Sequence, residues 1–214
     1  MSNCQELQEK ISQLKDLKQQ FEQIYHALPP GSNREPAKKE VLAQANEKRD
    51  GIELMIEQIE KLFYWKVIKL GTHKTIAELR QVILDQGNEM LGLGEYILDK
   101  IHLSQLETEI ALYVMTVKEL TGKDRATTQE VHDAIKARGG ELCPAEVGPQ
   151  LRLQYLDQPM NEHLLIAMDG IVASGGELCA FFVERDGLGW FLSGRYVYDS
   201  HFFGDALVVF TLSK

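Results

Sequence analysis

Apolar residues in the first 66 positions recur at steps of three and four. The first run consists of Leu7, Ile11, Leu14, Leu17, Phe21, Ile24 and Leu28. This spacing places the apolar side chains on one face of a helix, as in a coiled coil. A second run of the same kind extends from Val41 to Leu62, and the two runs are separated by LPPGSN, whose prolines cannot continue a helical hydrogen-bond ladder. The pattern predicts a coiled-coil-like antiparallel helical hairpin over residues 1–66.

The middle of the chain predicts helices and one strand. Residues 75–78 and 127–130 each begin with Thr and end with Glu, the form of a capping box at the start of a helix. Apolar spacing predicts another short helix over 90–101. Residues 107–120 are rich in β-branched and aromatic side chains, which favours a buried strand.

The last third of the chain has the pattern of strands joined by tight turns. Gly-Gly and Asp-Gly pairs, which suit hairpin turns that need positive φ, separate the runs. The four predicted strands span 163–172, 177–185, 189–198 and 205–212. The predicted fold class is α+β: the N-terminal hairpin of 1–66, followed by a domain of 72–214 with a helical segment and a C-terminal antiparallel β-sheet.

Charge and composition exclude several classes of function. The net charge is −9 at pH 7, and residues 67–214 hold 13 Lys and Arg against 21 Asp and Glu. A chain this acidic without a basic cluster is not expected to bind nucleic acid. No apolar run is long enough to cross a bilayer, so no membrane partner is expected either. The odd cysteine count and the absence of a recognisable secretion signal predict a cytoplasmic protein.

Candidate catalytic residues are few. Cys143 precedes a proline and Cys179 lies in a predicted strand, and either thiol would need a nearby base such as His163 or His201 to act as a nucleophile. Buried, unreactive cysteines are more common than catalytic ones, so the segment 141–159 around Cys143 is interpreted as connecting architecture. The histidines are scattered singly and no phosphate-binding motif occurs, so no metal site and no cofactor are predicted.

The same segment carries a resemblance. ELCPAEVGPQLRLQY, together with the residues that flank it, resembles a stretch of bacterial proteins of unknown function, over roughly residues 75–173. The resemblance implies a bacterial origin and a domain type, but no activity and no catalytic residues. His163 stands where tryptophan is expected, which speaks against a catalytic role for this histidine.

Aromatic residues are the candidates for binding. Apolar side chains in loops and at element ends often mark contact with a partner. The candidate binding residues are Phe63, Trp65, Trp190, Phe202 and Phe203. The predicted function is a protein-interaction or adaptor protein whose hairpin mediates docking or homodimer formation. The alternative is an enzyme of unrecognised type with a Cys/His site in the C-terminal domain.

Overall fold

The computed structural model describes residues 64–173, 175–197 and 201–212, together with Gln19. Apart from Gln19, the described residues belong to the unit Tyr64–Lys214. The predicted hairpin of 1–66 and the homodimer contact assigned to it therefore lie almost entirely outside the described residues. The helices and strands, numbered in chain order, are β1 (Lys66–Leu70), α1 (Ile76–Asp85), β2 (Glu89–Gly92), α2 (Leu93–Leu98), β3 (Thr108–Thr116), α3 (Val117–Thr121), β4 (Arg125–Thr127), α4 (Thr128–Ala137), β5 (Gly140–Glu141), α5 (Val147–Gln154), β6 (Glu162–Ile166), β7 (Ile171–Val172), β8 (Leu178–Asp186), β9 (Gly189–Tyr196), β10 (His201–Phe203) and β11 (Leu207–Leu212).

The predicted fold class is wrong, because the described part of the chain is built mainly on one mixed nine-stranded sheet with five short helices. The strand order is β1-β3-β11-β6-β8-β9-β2, with β5 beside β11 and β7 beside β8. Two neighbouring pairs, β6 with β11 and β2 with β9, are parallel. The C-terminal strands are thus not a separate antiparallel sheet, since they lie between strands from the first half of the domain, with β1 and β3 on one side and β2 on the other.

Two local predictions failed where one element changes into another. The predicted helix over 90–101 begins as β2 and turns into α2 at Gly92, whose φ of 56° is a conformation that glycine adopts at little cost. The predicted strand over 107–120 ends at Thr116, where a capping box with Glu119 starts α3. Strand β1 pairs antiparallel with β3, so the sheet already begins at Lys66.

Capping boxes are confirmed at two predicted helix starts. Thr75 caps α1 with Glu78, and Thr127 caps α4 with Glu130. In α4 the Glu130 carboxylate also bonds Lys123 Nζ at 2.6 Å. That hydrogen bond, followed by the one from the Thr127 backbone N–H, lowers the pKa of Glu130 to about 2.

Helix α5 packs against the sheet through a position that only glycine fits. A Cβ at Gly148 would lie 2.7 Å from the Cβ and Cγ of Phe181, which is fully buried in β8. Gly148 and Pro149 stand in the first turn of α5 and do not end it. A proline in the first turn loses no helical hydrogen bond, because its N–H would have no partner there.

The polar residues of the segment 141–159 tie loops together from inside the core. Buried Glu146 accepts backbone N–H groups from Gly71 at 2.7 Å and Ser104 at 2.8 Å. Fully buried Arg152 donates to the Gln158 side chain and to backbone carbonyls. None of its hydrogen bonds within the described part of the chain goes to a carboxylate. Burial, and then the charge of nearby Arg185, lower the pKa of Arg152 to about 10.

Candidate functional site

A two-stranded ribbon, separate from the main sheet, positions two of the predicted binding residues. Strands β4 and β10 pair antiparallel, so successive side chains point to opposite faces. Phe202 packs on Phe182 of the main sheet at a ring distance of 6.4 Å, and its cross-strand neighbour Ala126 is fully buried. Phe203 faces the other way, is 64% exposed, and lies 5.2 Å from the guanidinium carbon of Arg125. The ribbon therefore uses one phenylalanine as an anchor and presents the next one to solvent.

The backbone next to Phe203 is held on both sides. Gly204 donates its N–H to the carbonyl of Asp124 at 2.8 Å, and its carbonyl accepts from the Lys118 N–H, also at 2.8 Å. A Cβ at Gly204 would come within 3.1 Å of Asp124 Cα. Lys118 Nζ and Asp124 Oδ1 form an ion pair at 2.7 Å. These contacts make the surroundings of Phe203 a fixed surface rather than a free loop.

A depression of about 460 Å³ opens beside the exposed ring. We call it, together with that ring, the Phe203 surface. Its lining residues are Thr116, Lys118, Asp124, Phe203, Gly204 and Asp205. The volume lies within the roughly 300–1,000 Å³ of pockets that hold small molecules.

The other predicted binding residues lie elsewhere. Trp65 meets Tyr155 edge-on at 4.9 Å and packs against the core, and Trp190 on β9 lies under the Arg185 guanidinium at 4.7 Å. Phe63 lies outside the described residues. The structure thus brings Phe202 and Phe203 together and keeps the two tryptophans in separate internal contacts.

Both candidate thiols are buried. Cys143 Sγ lies 3.7 Å from the carbonyl of Val209, and burial raises the pKa of its thiol. Burial, followed by the charge of Glu177, also raises the pKa of the fully buried Cys179. Among the hydrogen bonds of the described residues, none joins either thiol to a histidine. The thiolate that nucleophilic chemistry needs is disfavoured at both positions.

The described contacts of the candidate histidines are with other groups. His201 stands exposed in β10 of the ribbon. His163 Nδ1 lies 2.9 Å from Glu184 Oε1, and the Glu184 side chain is only 6% exposed. The same carboxylate accepts from Ser193 Oγ at 2.5 Å and from Arg195 Nη2. We call these four residues the Glu184 cluster.

Sequence reasoning missed most of the Glu184 cluster. One available signal was a charged residue inside the apolar run that became β8, where period-two alternation places Glu184 on the same face as Phe182. The partners could not be found in this way, because they come from β6 and β9 and meet only through the register of the sheet.

Comparison with known proteins finds no matching family model, no matching curated protein and no matching solved structure. The implications drawn from residues 75–173 stay predictions. Within the described part of the chain, no helix has the length and apolar character that crossing a membrane requires. What can be said of function therefore rests on geometry and charge.

Proposed function

We propose that the unit Tyr64–Lys214 is a protein-interaction module that docks a partner at the Phe203 surface. The observation that carries this proposal is a phenylalanine that is 64% exposed, on a hydrogen-bonded ribbon, beside a depression of about 460 Å³. Large aromatic side chains at such positions are typical anchors of interfaces.

The rigidity of the ribbon supports binding energetically. Burying a phenylalanine side chain contributes about 1.5–3 kcal/mol from the removal of apolar area from water. Ordering a mobile loop would cancel part of that gain, but here Phe202 and the bonds of Gly204 already fix the backbone. The Phe203 surface therefore needs little reorganisation when a partner docks.

The charges around the depression indicate the chemistry of the partner. Lys118, Asp124 and Asp205 line it, so the lining carries a net charge of −1, and the whole chain carries a net charge of −9. A partner with an apolar side chain for the depression and basic residues at its rim matches this surface. Opposite charge steers such a partner toward the site and raises its rate of association.

A cysteine-based enzyme is not proposed. Cys143 and Cys179 are free buried thiols with raised pKa values. Free thiols of this kind support a reducing compartment, and on this ground we propose a cytoplasmic location.

The proposal is tested by photo-crosslinking in native cells. A photoreactive phenylalanine analogue replaces Phe203 in one variant and Leu188 in the other. Leu188 is a matched control, because it is an 87% exposed apolar residue in the β8–β9 turn and does not line the depression. We expect a discrete crosslinked protein from position 203 that is missing from position 188. The same products from both positions, or none from 203, would refute the proposal.

The affinity of the identified partner gives the second measurement. Phe203→Ala is expected to weaken binding by about tenfold or more, the range of an interface anchor. Leu188→Ala is expected to leave the dissociation constant unchanged within about twofold. Thermal unfolding of both variants shows whether a change in affinity reflects loss of the fold.

A further inference from the structure

The Glu184 cluster combines a buried carboxylate with two half-exposed basic side chains. Adjacent strands β6, β8 and β9 supply His163, Glu184 and Arg195, on the face of the sheet that also carries Phe182. Both carboxylate oxygens accept hydrogen bonds: Oε1 from His163 and Arg195, and Oε2 from Ser193. The carboxylate is thereby satisfied and fixes the position of both basic groups.

The hydrogen bond to the carboxylate determines the tautomer of His163. An ionised carboxylate can only accept, so His163 Nδ1 must carry the proton that it donates to Glu184. In the neutral imidazole the other nitrogen, Nε2, then holds a lone pair and acts as an acceptor. The side chain of His163 is 47% exposed, so a ligand can reach this ring from solvent.

Arg195 supplies the complementary donor. Its Nη2 donates to Glu184, its guanidinium carbon lies 4.9 Å from the centre of the Phe182 ring, and its side chain is 54% exposed. A guanidinium has five N–H groups in a fixed fork, so others remain for an anionic ligand. Because His163 Nδ1 and Arg195 Nη2 both contact Glu184 Oε1, the two basic side chains lie side by side.

We propose that the Glu184 cluster is a binding site for an oxyanion that retains a proton at neutral pH, such as hydrogenphosphate or bicarbonate. The unprotonated oxygens of the anion accept from Arg195, and its O–H donates to His163 Nε2. Glu184 and Ser193 do not touch the ligand; they hold the two basic side chains in place.

The need to satisfy a buried carboxylate does not by itself account for the cluster. Ser193 is short and nearly buried, and it serves that need without reaching solvent. His163 and Arg195 are longer and keep about half of their side-chain surface in water. An acceptor and a cation held side by side at a surface match a ligand that has both a donor and a negative charge.

The choice of anions tests this pairing directly. At pH 8 imidazoles are ordinarily neutral, hydrogenphosphate and bicarbonate each keep one proton, and sulfate keeps none. The full-length chain, with histidine side chains labelled for NMR, is titrated with inorganic phosphate, bicarbonate or sulfate at constant ionic strength. We expect phosphate or bicarbonate to shift the His163 resonances in a saturable way, with sulfate binding at least about tenfold more weakly. The stronger of the two protonated anions identifies the ligand class.

Three variants separate binding from folding. His163→Asn keeps an N–H near the position of Nδ1 for Glu184 but removes the Nε2 acceptor, and Arg195→Gln removes the cation. Each is expected to raise the dissociation constant of phosphate or bicarbonate by about tenfold or more while the protein stays folded. His73→Asn is the control, because the Nδ1 of His73 contacts only the Thr72 hydroxyl among its described hydrogen bonds. Binding of the protonated anions is read in these variants from the backbone amide resonances of position 195 and its neighbours.

The proposal is overturned if neither protonated anion saturates, if sulfate binds as well as they do, or if His73→Asn has the same effect as His163→Asn. It is independent of the Phe203 surface, so Phe203→Ala should leave anion binding unchanged. If the wild-type chain binds the protonated anions but yields no crosslinked partner from position 203, only the docking proposal fails. A crosslinked partner without saturable anion binding overturns only the anion site.

Discussion

Glu146→Gln tests whether a buried carboxylate holds the domain together. Glu146 Oε2 accepts the Ser104 N–H at 2.8 Å, and Oε1 accepts the Gly71 N–H at 2.7 Å and the Gln150 amide at 3.2 Å. Glutamine has one acceptor oxygen and one NH₂ group. In either orientation of the amide, one backbone N–H therefore faces another donor.

The size of the effect follows from these contacts. A hydrogen bond to a charged acceptor contributes about 1.5–3 kcal/mol, and a buried donor left without a partner costs about 1–3 kcal/mol. The two figures overlap, because both describe the same lost bond. We expect Glu146→Gln to lower the free energy of unfolding by about 1.5–3 kcal/mol, a large fraction of the 5–15 kcal/mol of a typical domain.

Urea unfolding followed by circular dichroism measures this loss. Glu95→Gln is the matched control, because Glu95 is exposed and its ion pair with Arg80 at 2.9 Å is of a kind that contributes at most about 1 kcal/mol. The dependence of the free energy on urea should be unchanged in both variants. A loss for Glu146→Gln that is within about 0.5 kcal/mol of the control would refute this account of the buried carboxylate.

Three further predictions concern packing, thiol chemistry and pH. Gly148→Ala should destabilise the fold by about 1–3 kcal/mol despite the better helix propensity of alanine, whereas Gly187→Ala, with no atom within 4 Å of the new Cβ, should change the free energy of unfolding by less than about 1 kcal/mol in calorimetry. In a Cys4→Ser variant, Cys143 and Cys179 should react with a disulfide reagent only as fast as the protein unfolds. Rapid labelling of the folded protein would contradict their burial. The pKa of Glu130 falls from the ordinary 4.5 to about 2 on folding, so its stabilising contribution is complete above pH 4.5 and is lost as the pH falls toward 2. Glu130→Gln should flatten the acid branch of the stability curve over this window, and an unchanged acid branch would show that the ion pair does not contribute.

Local signals predicted elements well where the chemistry is local. Each capping box, one starting at Thr75 and one at Thr127, spans only four residues of sequence, and each begins a helix. The Thr116 box has the same form but was hidden inside an apolar run that favoured a strand. In that run β-propensity is correct only up to the capping residue, because the cap then ends the strand and starts α3.

Sheet topology could not be predicted in the same way. Gly-Gly and Asp-Gly turns indicate hairpins between consecutive strands, and the β8–β9 hairpin follows this rule. Strand β11, however, lies between β3 and β6, antiparallel to one and parallel to the other. Pairing between strands this distant in sequence depends on how helices cover the sheet. The alternation of apolar and polar residues within one strand carries no information about that packing.

The ribbon shows how the same limit applies to function. The sequence HFF after residue 200 has no alternation long enough to predict a strand, and it predicts instead a loop that carries apolar residues. In the structure β10 pairs with β4 across more than 70 residues of sequence, and this pairing decides that Phe202 packs on Phe182 and is partly buried while Phe203 is exposed. Two identical adjacent residues thus acquire opposite roles from a long-range contact. For a small binding surface of this kind, composition indicates which residue types to consider, but only the strand partner determines which of them meets solvent.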